Sequence, residues 1–234
     1  MLTLFPRWTG LCAVCRRWTP GRLCEACLSR FAQPAPRCVQ CALRLPGGAA
    51  RCGACIARTD PPVRHTVAAV DYGFPWDRLI TGLKFHQRLD LVHAFAQLMH
   101  GAVQRAGSPP PTLVLPVPLS DERLRERGYN QAWELARRVA RRLGVAAQPA
   151  LLARIKDTAH QLGLDEAGRR ANLKNAFMVE PRHAHHLAGR RVALVDDVMT
   201  SGATADEAAR TLRAAGAAEV QLWVLARTPP PADA

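Results

Sequence analysis

The chain has 234 residues, 48% of them hydrophobic and 22% charged, with a formal net charge of +13. That apolar share supports one main folded domain with a smaller companion and excludes disorder throughout. No apolar run approaches the roughly 20 residues that cross a bilayer, and Leu2, Leu4 and Phe5 are followed at once by Pro6, Arg7 and Trp8. A cytoplasmic protein without a membrane span is therefore the expectation.

All eight cysteines fall in the first 55 residues, as four C-x-x-C turns: Cys12 with Cys15, Cys24 with Cys27, Cys38 with Cys41, and Cys52 with Cys55. In a reducing compartment this pattern points to metal rather than disulfides. Two such turns present four thiolates at tetrahedral spacing, which suits a closed structural Zn²⁺ site, so four turns make two sites. Sequential grouping closes the smaller loops and costs less chain entropy than an interleaved one. With few apolar residues, the module should need its metal to fold. Its Arg16, Arg17, Arg22, Arg30 and Arg37 either meet nucleic acid or keep a small module soluble.

Pro61-Pro62 closes this region, Ser108 to Pro111 separates a middle segment, and Pro229-Pro230-Pro231 opens a frayed tail. The implied division is a cysteine-rich double zinc-ribbon module over 1–60, a larger domain over 61–228, and a tail over 229–234. Trp76, Leu79, Ile80 and Leu83 have helical spacing and belong to a core. Thr112 to Pro116 reads as a strand buried on both faces. Ligands of parallel sheets sit beyond the carboxyl ends of the strands. The loop that follows, Val117 to Gln131, should therefore border a crevice. There Arg123 and Arg127, four residues apart, either clamp a pyrophosphate or form a solvated charge run with Glu122 and Glu126.

From Ala132 to Leu143 apolar residues recur at helical spacing, with Arg137, Arg138, Arg141 and Arg142 opposite, Asn130 as a cap and Gly144 as a stop. A helix from about Ala203 to Ala215 and an apolar strand from Val220 to Ala226 complete a strand–helix–strand crossover of right-handed type. This alternation indicates an α/β fold with a mainly parallel sheet flanked by helices.

The densest signal runs from Val192 to Thr204, where a buried strand enters two acids, a hydroxyl-rich turn with one glycine, and a helix. Unpaired N–H groups at a helix start, at the positive end of its dipole, bind a phosphate monoester. Thr200, Ser201 and Thr204 add hydroxyl donors, while Gly202 admits positive φ and close approach of a ligand. Asp196 and Asp197 suit vicinal ribose hydroxyls, directly or through Mg²⁺-bound water. Phosphate at one end and sugar hydroxyls at the other describe a ribose 5-phosphate. A receiver domain places its acids after the first strand, not this near the end of a chain, and neither a P-loop nor a dinucleotide glycine motif occurs.

Val192 to Thr204 closely resembles the 5-phosphoribosyl pyrophosphate (PRPP) motif of type I phosphoribosyltransferases. That resemblance implies ribose hydroxyls on Asp196 and Asp197, the 5-phosphate wrapped by Thr200, Ser201, Gly202, Ala203 and Thr204, and displacement of pyrophosphate through an oxocarbenium-like state. V-P-V-P-L, R-L-R-E-R-G-Y-N-Q, K-D-T-x-x-Q and R-R-x-N-x-x-x-A-F, in order ahead of this motif, are similar to the ComF family of competence and phosphoribosyltransferase-like proteins. The cysteine-rich front and Tyr72 to Phe85 extend the resemblance over nearly the whole chain.

Two functions follow as expectations. One is transfer of phosphoribose from PRPP, with Mg²⁺, to a nitrogen acceptor. The other, implied by the resemblance, is a factor for natural transformation that binds single-stranded DNA along a basic surface and uses the pocket for recognition only. The positive surplus lies in residues 1–60 and 120–191, which fits polyanionic partners as well as compositional bias. Lys84, Lys156 and His160 either touch PRPP or its co-substrate or have structural roles, the latter being preferred for His160.

Overall fold

The computed structural model describes residues 10–156 and 173–229. In chain order, β1 (Gly10–Leu11), β2 (Trp18–Thr19), α1 (Glu25–Phe31) and α2 (Gly53–Ile56) belong to the cysteine region. The larger part contributes β3 (His65–Asp71), α3 (Trp76–Phe85), α4 (Val92–Ala106), β4 (Leu113–Pro116), α5 (Asp121–Arg127) and α6 (Gln131–Leu143). It continues with β5 (Leu152–Arg154), β6 (Phe177–Val179), β7 (Arg191–Met199), α7 (Ala203–Ala214) and β8 (Glu219–Arg227).

The central sheet is parallel throughout, in the order β3-β8-β7-β4. Its two inner strands, β7 and β8, are almost continuously apolar from Val192 to Val195 and from Leu222 to Ala226, as strands covered on both faces must be. On one face, Leu79 and Leu83 of α3, Phe95 and Met99 of α4, and Leu135 and Val139 of α6 pack on Ala193, Val195 and Trp223. On the other, Ala208, Ala209 and Leu212 of α7 pack on Val192, Leu194 and Leu222. Each fully buried Leu contributes about 1.5–3 kcal/mol. Alanines on the inner face of α7 let its backbone approach the sheet closely.

Local signals act as their chemistry dictates. Asn130 Oδ1 accepts the N–H groups of Ala132 and Trp133 at 2.8 and 3.3 Å and so starts α6, and Gly144 ends it at φ 67°. Trp76, Leu79, Ile80 and Leu83 are all buried. The strand after Gly189 runs on to Met199, so both aspartates stand within β7 rather than beyond its end. No helix among the described residues is long and apolar enough to cross a membrane.

The seam near residue 60 is packed. Pro61, Pro62 and Val63 are buried, and Ala42 belongs to the core that α7 covers. The Thr66 N–H donates to Val39 O at 2.8 Å and its hydroxyl to Gln40 O at 2.7 Å. Arg37 and Arg44 both reach Asp71, at 2.5 and 2.8 Å. The second half of the cysteine region thus covers the β3 edge of the sheet and removes it as a pairing surface.

Candidate phosphate site and metal centres

Successive side chains of a strand leave on opposite faces, and this separates the two aspartates. Asp196 follows Val192 and Leu194 toward α7 and lines a small cavity with Val198, Met199 and the turn from Thr200 to Ala205. The cavity holds about 50 Å³ of accessible volume, several times what one water needs. Asp197 follows Ala193 and Val195 toward α3, where Lys84 Nζ lies 3.0 Å from its Oδ1. Its other oxygen, Oδ2, is buried without a hydrogen-bond partner among the described residues. That is an acceptor suited to a metal-bound water.

Gly202 sits at φ 84°, ψ 0° as the N-cap of α7, with no side-chain cap bond of its own. The Ala203 N–H reaches Ser201 Oγ at 3.4 Å. The first turn of a twelve-residue helix therefore opens into the cavity that Asp196 lines. Gly202 is partly exposed at its mouth, as are Ser201 and Thr204; Thr200 is exposed and Ala203 buried. Burial first, and then repulsion from Asp197, pushes the Asp196 carboxyl up to about 7, with Lys84 acting against both.

The upstream loop reaches the same edge of the sheet. Pro116 pairs with Val195, the Val117 N–H donates to Val195 O at 2.8 Å, and the Asn130 amide donates to Val117 O at 3.1 Å. Between these points α5 stands on the surface with no buried residue, started by Ser120 and ended by Gly128. The Arg127 guanidinium lies 5.1 Å over the ring of Phe85, the residue after Lys84, and the Tyr129 hydroxyl donates to Leu83 O. Arg127 thus meets α3 at the residue that follows Lys84. Arg123 lies one turn earlier on the same helix. Lys156 instead donates to Lys174 O at 2.9 Å, next to Asn175, whose N–H meets Glu207 of α7 at 2.7 Å. None of Arg123, Arg127 and Lys156 lines the cavity beside Asp196. His160, with the rest of 157–172, lies outside the described residues.

The cysteines gather as two sequential groups, Cys12, Cys15, Cys24, Cys27 and Cys38, Cys41, Cys52, Cys55, with each group's sulfurs within 4.8 Å of one another. A tetrahedral Zn²⁺ with Zn–S near 2.3 Å sets its sulfurs about 3.8 Å apart. The Cys15–Cys24 and Cys41–Cys52 sulfurs are at 3.5 and 3.7 Å, so the donor sets fit zinc. In both groups the third cysteine's N–H points at the first one's sulfur, Cys24 to Cys12 and Cys52 to Cys38, at 3.4 Å. Burial opposes ionisation of Cys12, but the backbone N–H groups of Cys15, Cys24 and Val14 outweigh it and bring the thiol to about 6. The same balance brings Cys38 to about 7. Burial raises Cys27 and Cys55 instead, a cost that a bound cation removes.

Two residues tied to the site were not evident in the sequence. Arg58 ion-pairs with Asp206 in the first turn of α7 at 2.6 Å, and Arg227 is buried against the backbone of Cys41 and Met199. Neither carries a local signature, because each meets its partner from a distant part of the chain.

Comparison with known proteins identifies the family of the chain. A family model described as phosphoribosyl transferase domain matches residues 130–233. DNA utilization protein YhgH of Salmonella typhi is 35% identical over 225 residues, 94% of this chain and 91% of its own. Competence protein F of Haemophilus influenzae is 39% identical over 157 residues, 65% of this chain and 68% of its own. A solved adenine phosphoribosyltransferase from Thermoanaerobacter pseudethanolicus aligns with 62% of this chain and 83% of its own at 14% identity and a TM-score of 0.38. With a phosphoribosyltransferase domain behind two four-cysteine clusters, the chain belongs to the ComF family, that of DNA utilization protein YhgH and competence protein F.

Proposed function

We propose that this protein binds PRPP at the mouth of α7 and transfers its phosphoribosyl group to a nitrogen acceptor, releasing pyrophosphate. The observation that carries this reading is the single cavity lined by Asp196 and by the turn that opens α7. The 5-phosphate takes the first-turn N–H groups and the hydroxyls of Thr200, Ser201 and Thr204. Asp196 accepts a ribose hydroxyl and stabilises the positive charge that grows at C1 as pyrophosphate departs. Arg127 and Arg123, on the helix of the upstream loop, are the candidate cations for the leaving pyrophosphate, and Lys84 ion-pairs with Asp197. Asp196 and Oδ2 of Asp197 would accept from the waters of a Mg²⁺ ion, which would supply charge neutralisation for the pyrophosphate.

Titration calorimetry with PRPP and Mg²⁺, paired with a pyrophosphate-release assay over candidate bases and amines, tests the reading. Binding that Asp196→Ala abolishes is expected. A wild-type chain that binds neither PRPP nor ribose 5-phosphate sinks the proposal.

A second reading, handling of single-stranded DNA, is favoured by one surface feature together with the names of the relatives. Phe74 is 60% exposed, with the Arg78 guanidinium 5.6 Å over its ring. Phe31 meets it edge-on at 5.5 Å, with Arg30 over Phe31 at 5.2 Å. Stacking rings set among arginines suit unpaired bases. Salt-sensitive oligonucleotide binding that is lost in Phe74→Ala but survives Asp196→Ala would support this reading as a separate activity.

A further inference from the structure

The second cysteine cluster sits directly behind the phosphate turn. Met199, whose side chain lines the phosphate cavity, packs on Cys38, Cys41 and Cys55. Its carbonyl oxygen accepts from Arg227 at 3.2 Å and from the Thr228 N–H at 3.0 Å. The same Arg227 donates through Nε to Cys41 O at 2.8 Å and also reaches Thr228 O. One buried guanidinium therefore joins the backbone of a C-x-x-C turn to the residue at which β7 becomes the phosphate turn. A second strut runs from Arg58, just beyond Cys55, to Asp206 at 2.6 Å, and the Asp206 N–H closes the first turn of α7 on Gly202 O at 2.9 Å. No hydrogen bond or ion pair described for residues 10–35 reaches 199–206. The first cluster packs instead toward α3 and α4, through Leu23, the Arg22–Asp90 pair and the Trp76 bond to Phe31 O.

We propose that metal held by Cys38, Cys41, Cys52 and Cys55 sets the shape of the phosphate turn, with Arg227 and Arg58 as positioning residues, so that this metal and a phosphate-bearing ligand stabilise each other. Loss of the metal frees the Cys41 carbonyl from its turn. Arg227 then loses one of the two ends it bridges, and Met199 loses the wall that holds it beneath Gly202. Coupling of this kind is reciprocal: whatever factor the metal contributes to ligand affinity, the ligand returns to metal affinity. The first cluster takes no part, and the two metals of one chain differ in this respect.

The ligand arm rests on the PRPP reading, but the coupling is read without it by amide hydrogen exchange of the full zinc-loaded chain. Arg227→Gln, Arg58→Gln and Cys52→Ser each raise exchange across 199–206, whereas Cys15→Ser, which removes a ligand of the first cluster, leaves that segment unchanged. Arg58→Gln changes a half-exposed side chain and guards against a variant that simply fails to fold. In the second arm, zinc release to a colorimetric chelator is followed with and without PRPP and Mg²⁺. One of two zinc equivalents slows by about fivefold or more, the lower end of ordinary coupling, and Arg227→Gln abolishes the slowing. Unchanged exchange at 199–206 in both arginine variants overturns the proposal, as does equal protection of both zinc equivalents by PRPP. Failure of the wild-type chain to bind PRPP overturns the function reading alone, since the exchange arm still decides the coupling.

Discussion

Lys84 Nζ lies 3.0 Å from Oδ1 of Asp197, and the two side chains are 24% and 4% exposed. The pair is asymmetric: the ammonium can turn to water, while the carboxylate is buried and its Oδ2 has no hydrogen-bond partner among the described residues. Removing the cation should therefore cost more than removing the acid. Lys84→Met is expected to lower stability by about 1–3 kcal/mol, the penalty for leaving a buried polar group unpaired, and Asp197→Asn by less. In the Lys84→Met background Asp197→Asn should restore part of the loss. Urea denaturation of the four chains gives the coupling energy, and additive costs would show that the contact contributes no net stability.

Asp196 makes ligand binding pH-dependent. Its carboxyl sits near 7 in the folded chain and near 4 in an unfolded one. The folded state therefore holds the proton more tightly, and this residue's contribution to stability is present below pH 4 and is lost as pH rises toward 7. Ligand binding runs the other way, because Mg²⁺ and ribose hydroxyls need the carboxylate. PRPP affinity is expected to rise from pH 6 to pH 8 and to level off above the carboxyl's pKa. Asp196→Asn should flatten that dependence and weaken binding at every pH. A wild-type profile that is flat in calorimetry between pH 6 and 8 would remove Asp196 from the ligand.

The parts of this molecule that a sequence reveals are those whose cause is local. Asn130, Gly144 and Gly202 cap or stop helices through bonds within a few residues, and the apolar runs of β4, β7 and β8 declare a sheet covered on both faces. The turn from Thr200 to Thr204 was legible for the same reason, since its chemistry is contiguous. β5 and β6 are short strands paired antiparallel, and nothing in either segment names the other. Arg227 looks like the end of an apolar strand and Arg58 like one more surface charge; only the packing of the second cysteine loop against β3 and β8 gives them partners. The two aspartates looked equivalent as neighbours, whereas the extension of β7 to Met199 sends them to opposite faces of the sheet.

Zinc should be present at two equivalents per chain, and its loss should be felt locally before it is felt globally. β1 and β2 form only a two-residue ladder, too little to stand without help, so the thiolate–metal bonds supply the cohesion there. Metal analysis of protein purified under reducing conditions checks the stoichiometry. Chelation is expected to expose all eight thiols to titration while the parallel sheet keeps most of its far-ultraviolet dichroism. A single equivalent of metal, or eight reactive thiols before chelation, would contradict the assignment of both clusters.

Gly202 offers the sharpest separation of fold from function. A Cβ there would stand 2.6 Å from Cε of Met199, in a backbone held at φ 84°. Ala pays about 1–2 kcal/mol for that conformation, and the methionine tip, being flexible, moves rather than breaking the fold. The tip moves within the cavity that Asp196 lines, so the ligand should suffer more than stability does. Gly202→Ala is expected to lower Tm by roughly 2–8 °C, the range for such a loss in a chain of this size, and to raise the PRPP Kd by about tenfold or more, a loss of ~1.4 kcal/mol in binding. Adding Met199→Ala removes the clash but not the strain, so it should recover part of the stability. If Gly202→Ala binds PRPP as tightly as the wild-type chain while still losing stability, the turn before α7 is a structural element and the phosphate lies elsewhere.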